Sequence, residues 1–169
     1  LKVGNLVEFT GHMLEVTLGP GLLSRNYDGL QNDLDKLHGV FLQRGEYNYP
    51  LDEEKLWHFK PIAKVGDKVD AAAWLGEVDE NHQPHKIMVP FVFKGVYTIK
   101  SIAAEGEYKI HDVMAVLTDA EGQDHEVTMV QKWPVKKAIT AYKEKPRPFK
   151  LLETGVRTID TANPICEGG

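Results

Sequence analysis

The stretch VGDKVDAAAWLGEVDENHQPHKIMVPFVFKGVYTIKSI, Val65 to Ile102, decides the fold of this chain. It contains short apolar runs broken every few residues by Gly, Asp, Asn or Pro, and no long segment repeats with helical period. Val65-Gly66-Asp67-Lys68-Val69 reads as strand, turn, strand, because Gly and Asp tolerate the backbone angles of a tight turn. Trp74 to Val78 and Lys86 to Val89 read as strands around a polar tip, Asp79 to Pro84, and Gly95 to Ile102 as the next strand.

The pattern continues outward. Trp57 to Phe59, following a polar helical turn at Asp52 to Lys55, is a strand, as are Tyr108 to Ile110, Val113 to Leu117 and Glu126 to Val130; Val40 to Leu42 is a short apolar run. The spacing of turns predicts a mainly β domain, a small barrel or sandwich. Toward the N-terminus, Leu6 to Phe9 and Met13 to Leu18 are expected to form a hairpin over Thr10-Gly11-His12. Gly19-Pro20-Gly21 breaks the chain, Leu22 to Asn26 suits one helical turn, and Gln31 to His38 a short helix capped by Gly39. Lys2 to Val7 echoes Lys64 to Val69 as a second copy of one turn solution. After Trp133, prolines at 134, 146, 148 and 164 impose an extended course, with a short helix from Gly155 to Asp160 ended by Gly168-Gly169.

Of 169 residues, 42% are hydrophobic and 27% charged, a balance that buries a real core. The net charge of -5 argues against nucleic acid, which needs a basic face. The mixed, proline-broken run from Lys143 through Lys145 to Arg147 reads as a solvated connector. The longest apolar runs, such as Ile87 to Phe93, are too short to span a bilayer. Cys166 stands alone, so no intrachain disulfide exists, and a reducing, cytoplasmic compartment is the natural reading.

The residues mark no catalytic centre. His82 and His85 flank Pro84 in a polar tip, without the further ligands a zinc site needs. Asp124-His125-Glu126 adjoins the turn Glu121 to Asp124 and reads as a solvated loop. Ser24 and Ser101 lack the Gly-x-Ser-x-Gly setting, and Gly19-Pro20-Gly21 lacks the Gly-Lys-Ser/Thr ending of a phosphate loop. The expected catalytic, cofactor-binding and metal-ligating sets are therefore empty.

Val65 to Val69, Leu75-Gly76, Val89-Pro90, Gly95-Val96 and Ile102 follow the order of biotinyl and lipoyl carrier domains, flattened barrels that display a modified lysine on a hairpin tip. Lys86 would be that lysine, but it stands too close to Pro90 and between His85 and Ile87. The topology is expected to be carrier-like (a barrel-sandwich hybrid), and an independent biotinyl- or lipoyl-like binding module is the alternative function.

Read end to end, the chain resembles the catalytic A subunit (alpha chain) of V-type and archaeal A-type rotary ATPases. The resemblance is carried by Leu14-x-Val-x-Leu-Gly-Pro-Gly-Leu-Leu23, Tyr27-Asp-Gly-Leu-Gln31, Arg44-Gly45, Trp57-x-Phe59, Val65 to Val69, His85 to Pro90, Glu107-Tyr108 and Val127 to Val135, with Arg157-x-Ile-Asp-Thr161 near the end. Asn32-Asp33 and Ala162-Asn163 depart from the family pattern. The resemblance implies three parts: 1–37, following the N-terminal barrel; 38–130, the inserted bulge (non-homologous) domain; and 131–169, a connector into the nucleotide-binding domain. Since the chain starts at Leu1 and stops at Glu167-Gly168-Gly169, it is expected to be a piece of a longer subunit, with the phosphate loop after Gly169. The parent would bind ATP or ADP with Mg²⁺ and couple ATP hydrolysis or synthesis to H⁺ or Na⁺ transport. It would alternate with B-type subunits in a hexamer around the central stalk, peripheral on the cytoplasmic membrane face and without direct membrane insertion. The present piece would be non-catalytic and contact the peripheral stalk. Trp57, Trp74, Phe91 and Phe93 are candidates for core or interface, with the core favoured for the tryptophans.

Overall fold

The computed structural model describes residues 2–9, 11–37, 45–142, 144 and 147–167. Its strands are β1 (Glu15–Leu18), β2 (Trp57–Pro61), β3 (Lys68–Val69), β4 (Trp74–Glu80), β5 (Gln83–Met88), β6 (Tyr97–Ile102), β7 (Gly106–Tyr108), β8 (Ala115–Thr118), β9 (Asp124–Val127) and β10 (Gln131–Pro134). A 3-10 turn at Leu34–Lys36 and the helix α1 (Arg157–Ala162) are the helical elements among the described residues. The mainly β expectation holds.

Two four-stranded antiparallel sheets form the barrel-sandwich, in the orders β5-β4-β2-β7 and β3-β6-β8-β9, and β1 pairs with β10 in a separate two-stranded sheet. Side-chain alternation sets the faces. On β2, Trp57 and Phe59 are buried while His58 and Lys60 face solvent. On β4, Gly76, Val78 and Glu80 fall on one inward face. Phe59, Val78, Ile87, Ile110 and Met114 form one cluster of the core; Leu75, Val89, Ile99, Leu117 and Val127 form the other. Ile102 packs against both and joins them.

Turn chemistry was legible. The β4–β5 hairpin turns at Asn81-His82, both at positive φ, as a two-residue turn that matches strand twist requires. The repeated motif also makes the same turn twice: Asn5 N–H donates to the Lys2 carbonyl and Asp67 N–H to the Lys64 carbonyl, both at 3.1 Å. Each is closed by a side chain, with Lys2 N–H donating to Asn5 Oδ1 at 2.6 Å and Lys64 N–H to Asp67 Oδ2 at 2.8 Å. Only Lys68–Val69 is a strand in the second copy; Val65 lies within the turn itself.

Several local expectations are corrected. Residues 13–18 do not pair with Leu6 to Phe9; Val16 pairs with Trp133 and Leu18 with Gln131, so a long-range partner replaces the hairpin. An isolated exposed hairpin buries little, whereas β10 sets the buried Trp133 opposite Val16. Leu22 to Asn26 is a turn with Ser24 at φ 63°, not a helical turn. Asp52 to Lys55 is not helical either: the Asp52 carboxylate accepts Glu54 N–H at 3.0 Å, a local bond that competes with a helix. The Gln31 to His38 helix shrinks to Leu34–Lys36, and its proposed cap Gly39 lies outside the described residues, as do Val40 to Leu42, Arg44 and Gly168-Gly169. The tail helix begins at Arg157 and runs to Ala162, slightly later than expected.

Candidate functional site

The histidines marked by sequence are held by separate carboxylates. His82 occupies the β4–β5 turn and is exposed. His85 points inward from β5, its Nδ1 bonded to Glu80 Oε2 at 2.7 Å. On β9, alternation sends His125 to Asp119 at 2.9 Å, while Asp124 accepts from Thr118 Oγ1 at 2.8 Å and pairs with Lys100. Asp124-His125-Glu126 therefore does not converge as an acid/base cluster. The hydrogen bond from His125 holds the Asp119 carboxyl below its ordinary range. Among the described residues no group of three or more His, Cys, Asp or Glu could hold a metal ion.

Ser24 Oγ accepts from Asn81 Nδ2 at 3.2 Å, and Ser101 lies exposed on β6. Cys166 is half-buried in an isolated bridge to Leu151. Lys86 is not on the hairpin tip. It lies within β5 opposite Glu77, with which it forms an ion pair, and its Nζ stands 5.0 Å from the Trp74 ring centroid. A lysine held by a carboxylate and an aromatic face within a strand is poorly placed for attachment chemistry.

The described surface instead offers an apolar face at the end of β4 and β5. Trp57 is core, 3% exposed, but Trp74 is 57% exposed, which overturns the core assignment for that tryptophan. The β4 bulge between Trp74 and Gly76 is the reason: a one-residue shift turns Trp74 outward and Leu75 into the core. Half-buried Phe91 and Phe93 and exposed Val96 continue the face. With Met88 and Tyr142 they line a groove of about 1230 Å³. Phe91 stacks edge-on against Trp133 at 5.5 Å, and Phe93 contacts Tyr97 and His125, so both rings are anchored from behind.

Two buried carboxylates escaped the sequence reading. Asp33, 0% exposed, receives Arg25 Nη1 at 2.7 Å, and its N–H donates to Asn48 Oδ1 at 2.8 Å. Beside it, Asn32 Nδ2 donates to Asp28 Oδ2 at 2.8 Å, a bond that depresses the Asp28 carboxyl. The departures at Asn32-Asp33 thus lie in a satisfied polar network. Glu80, 2% exposed, accepts Gly21 N–H at 2.6 Å and Leu23 N–H at 3.0 Å in addition to its contact with His85. Its inward parity with Val78 was a visible signal, whereas its distant donors were not.

This fold is shared. The family model for the ATP synthase alpha/beta subunit barrel-sandwich domain matches residues 48–136, and the chain belongs to that family. Within it, the chain is 48% identical to the V-type ATP synthase alpha chain of Treponema denticola, 47% to that of Borreliella burgdorferi and 45% to V-type ATP synthase alpha chain 1 of Treponema pallidum. Each alignment covers 100% of this chain but 29%, 30% and 29% of the respective relative, so the chain spans under a third of their length. The resemblance to the alpha chain of V-type ATPases is borne out along the whole sequence.

Proposed function

We propose that this chain is the bulge-bearing segment of the catalytic alpha chain of a V-type rotary ATPase. The parent couples ATP hydrolysis or synthesis to H⁺ or Na⁺ transport, alternates with B-type subunits, and sits on the cytoplasmic membrane face. The observation that carries this reading is the 48% identity to a V-type ATP synthase alpha chain across the full sequence. Residues 38–130 are the inserted domain, flanked by 1–37 and by the connector 131–169. The segment itself carries no catalytic or Mg²⁺-binding role. ATP, Mg²⁺ and the phosphate loop belong to the sequence following Gly169.

The segment works by contact. The Trp74 face is offered to the peripheral stalk, because a large exposed aromatic flanked by Phe91, Phe93 and Val96 is the composition of an interface centre. Calorimetry with Mg-ATP tests the first part: the 169-residue chain gives no binding heat, while a subunit extended through the phosphate loop binds. Tight binding by the chain alone would refute the assignment. For the second part, Trp74→Asp in the assembled enzyme is expected to release the peripheral stalk during purification while the isolated catalytic head keeps its ATPase rate. Full stalk retention would sink the docking assignment.

A further inference from the structure

The β1–β10 sheet shares no strand-to-strand hydrogen bonds with either four-stranded sheet. Its orientation on the barrel rests on packing, on the three-residue link from β9 into β10 with Met129 N–H bonded to the Ile110 carbonyl at 3.2 Å, on Phe91 N–H bonded to Gln131 Oε1 at 2.9 Å, and on the segment leaving β1. That segment meets the tip of the β4–β5 hairpin at Glu80. Both carboxylate oxygens are used: Oε1 receives Gly21 N–H at 2.6 Å and Leu23 N–H at 3.0 Å, and Oε2 contacts His85 Nδ1 at 2.7 Å. The backbone donors lie 59 and 57 positions away in sequence. Next to them, Asn81 Nδ2 donates to Ser24 Oγ at 3.2 Å, a second tie between the same two pieces.

Glycine suits this turn through backbone conformation at Gly21 and tight packing at Gly19. Gly21 has φ +107°, and a Cβ there would stand 3.5 Å from Trp57 Cζ2; at Gly19 it would meet Leu51 Cδ1 at 3.1 Å and the Met129 carbonyl at 3.2 Å. The turn thus lies against the core while one buried carboxylate satisfies two of its amides. A buried carboxylate is costly without its donors, so release of the turn strands the charge and favours reclosure.

We propose that Glu80 is a positioning residue: it latches the Gly19–Ser24 turn to the barrel and thereby fixes the barrel's orientation on the β1–β10 stem. His85 completes the latch by holding the second oxygen. The device is independent of what docks on the Trp74 face.

The test uses the chain in two variants, Glu80→Gln and Glu80→Met, the second keeping volume without a buried charge. Amide exchange is read at Gly21 and Leu23 against Val78 and Leu117. Orientation is read as the interspin distance distribution between nitroxides at Thr98→Cys and Lys132→Cys in a Cys166→Ser background. Hydrogen bonds to a charged group predict about tenfold to hundredfold faster exchange at Gly21 and Leu23 in the variants. The core amides stay unchanged and the distance distribution broadens. Should Glu80→Gln also raise exchange at Leu117, Glu80→Met decides by the same readouts. An unchanged distribution, or unchanged exchange at Gly21 and Leu23, in a folded variant overturns the latch.

Discussion

Gly76→Ala places a methyl group where the structure has no room. A Cβ built there lies 2.3 Å from Phe59 Cε2, 2.4 Å from Phe59 Cζ and 2.7 Å from the Lys60 carbonyl oxygen. Carbon atoms pack at about 3.5–4.0 Å, so the neighbours must retreat by about 1 Å. Phe59 is 0% exposed and closed in by the core, and the carbonyl belongs to the adjacent strand, where Pro61 pairs with Gly76. Overpacking of this kind costs about 1–3 kcal/mol, and obstruction by a backbone atom puts Gly76→Ala at the upper end. Against this stands about 0.5–1 kcal/mol from replacing glycine within a strand. The net loss is about 2 kcal/mol, which lowers the melting temperature by about 4–8 °C in a chain of this size. Thermal and urea unfolding followed by circular dichroism measure it, with Gly29→Ala, where nothing lies within 4 Å, as the neutral control. Phe59→Leu removes the ring from the clash, so the double variant should lose less than the sum of the singles. A melting temperature for Gly76→Ala matching wild type, or strictly additive losses, would refute this account of close approach.

Removing the cation from Asp33 by Arg25→Gln leaves a fully buried carboxylate short of its charged partner; with Arg25 a third exposed, the loss should be about 2 kcal/mol, read as a lower urea midpoint at unchanged slope. His58, bonded to Glu105 at 3.1 Å and Glu107 at 2.9 Å, is raised above its ordinary value of 6.5 by those hydrogen bonds. Its stabilising contribution is therefore complete below about pH 6.5 and disappears as pH rises through the higher folded value. Imidazole resonances should give a midpoint above 6.5 that drops in Glu105→Gln; a midpoint at or below 6.5 would contradict the pincer geometry. Trp74→Ala, at an exposed position, should change stability by no more than about 0.5 kcal/mol while weakening stalk retention in the assembled enzyme, as unfolding and pull-down measurements can show.

Much of the barrel was readable because strand alternation and turn chemistry act over a few residues. Gly66, Gly95 and Gly122 all take positive φ, and Trp57-x-Phe59 buries alternate side chains as its pattern demands. The errors fell where tertiary partners overrule local preference. The apolar runs at Leu6 to Phe9 and Met13 to Leu18 looked self-sufficient, yet the second pairs with a strand beyond residue 130. Trp74 looked like core by residue type, and a single bulge turned it to solvent.

By itself the sequence determined the fold class, most of the turns and the family, since each depends on residue type at short spacing or on motifs in a fixed order. Tertiary structure alone decided the rest: that β1 closes on β10, that Trp74 faces outward over a groove, and that Glu80 holds the turn at Gly21 and Leu23. A carboxylate in a polar hairpin sequence looks solvated. What buries it is the arrival of backbone amides from nearly sixty residues away, a contact that no local pattern encodes.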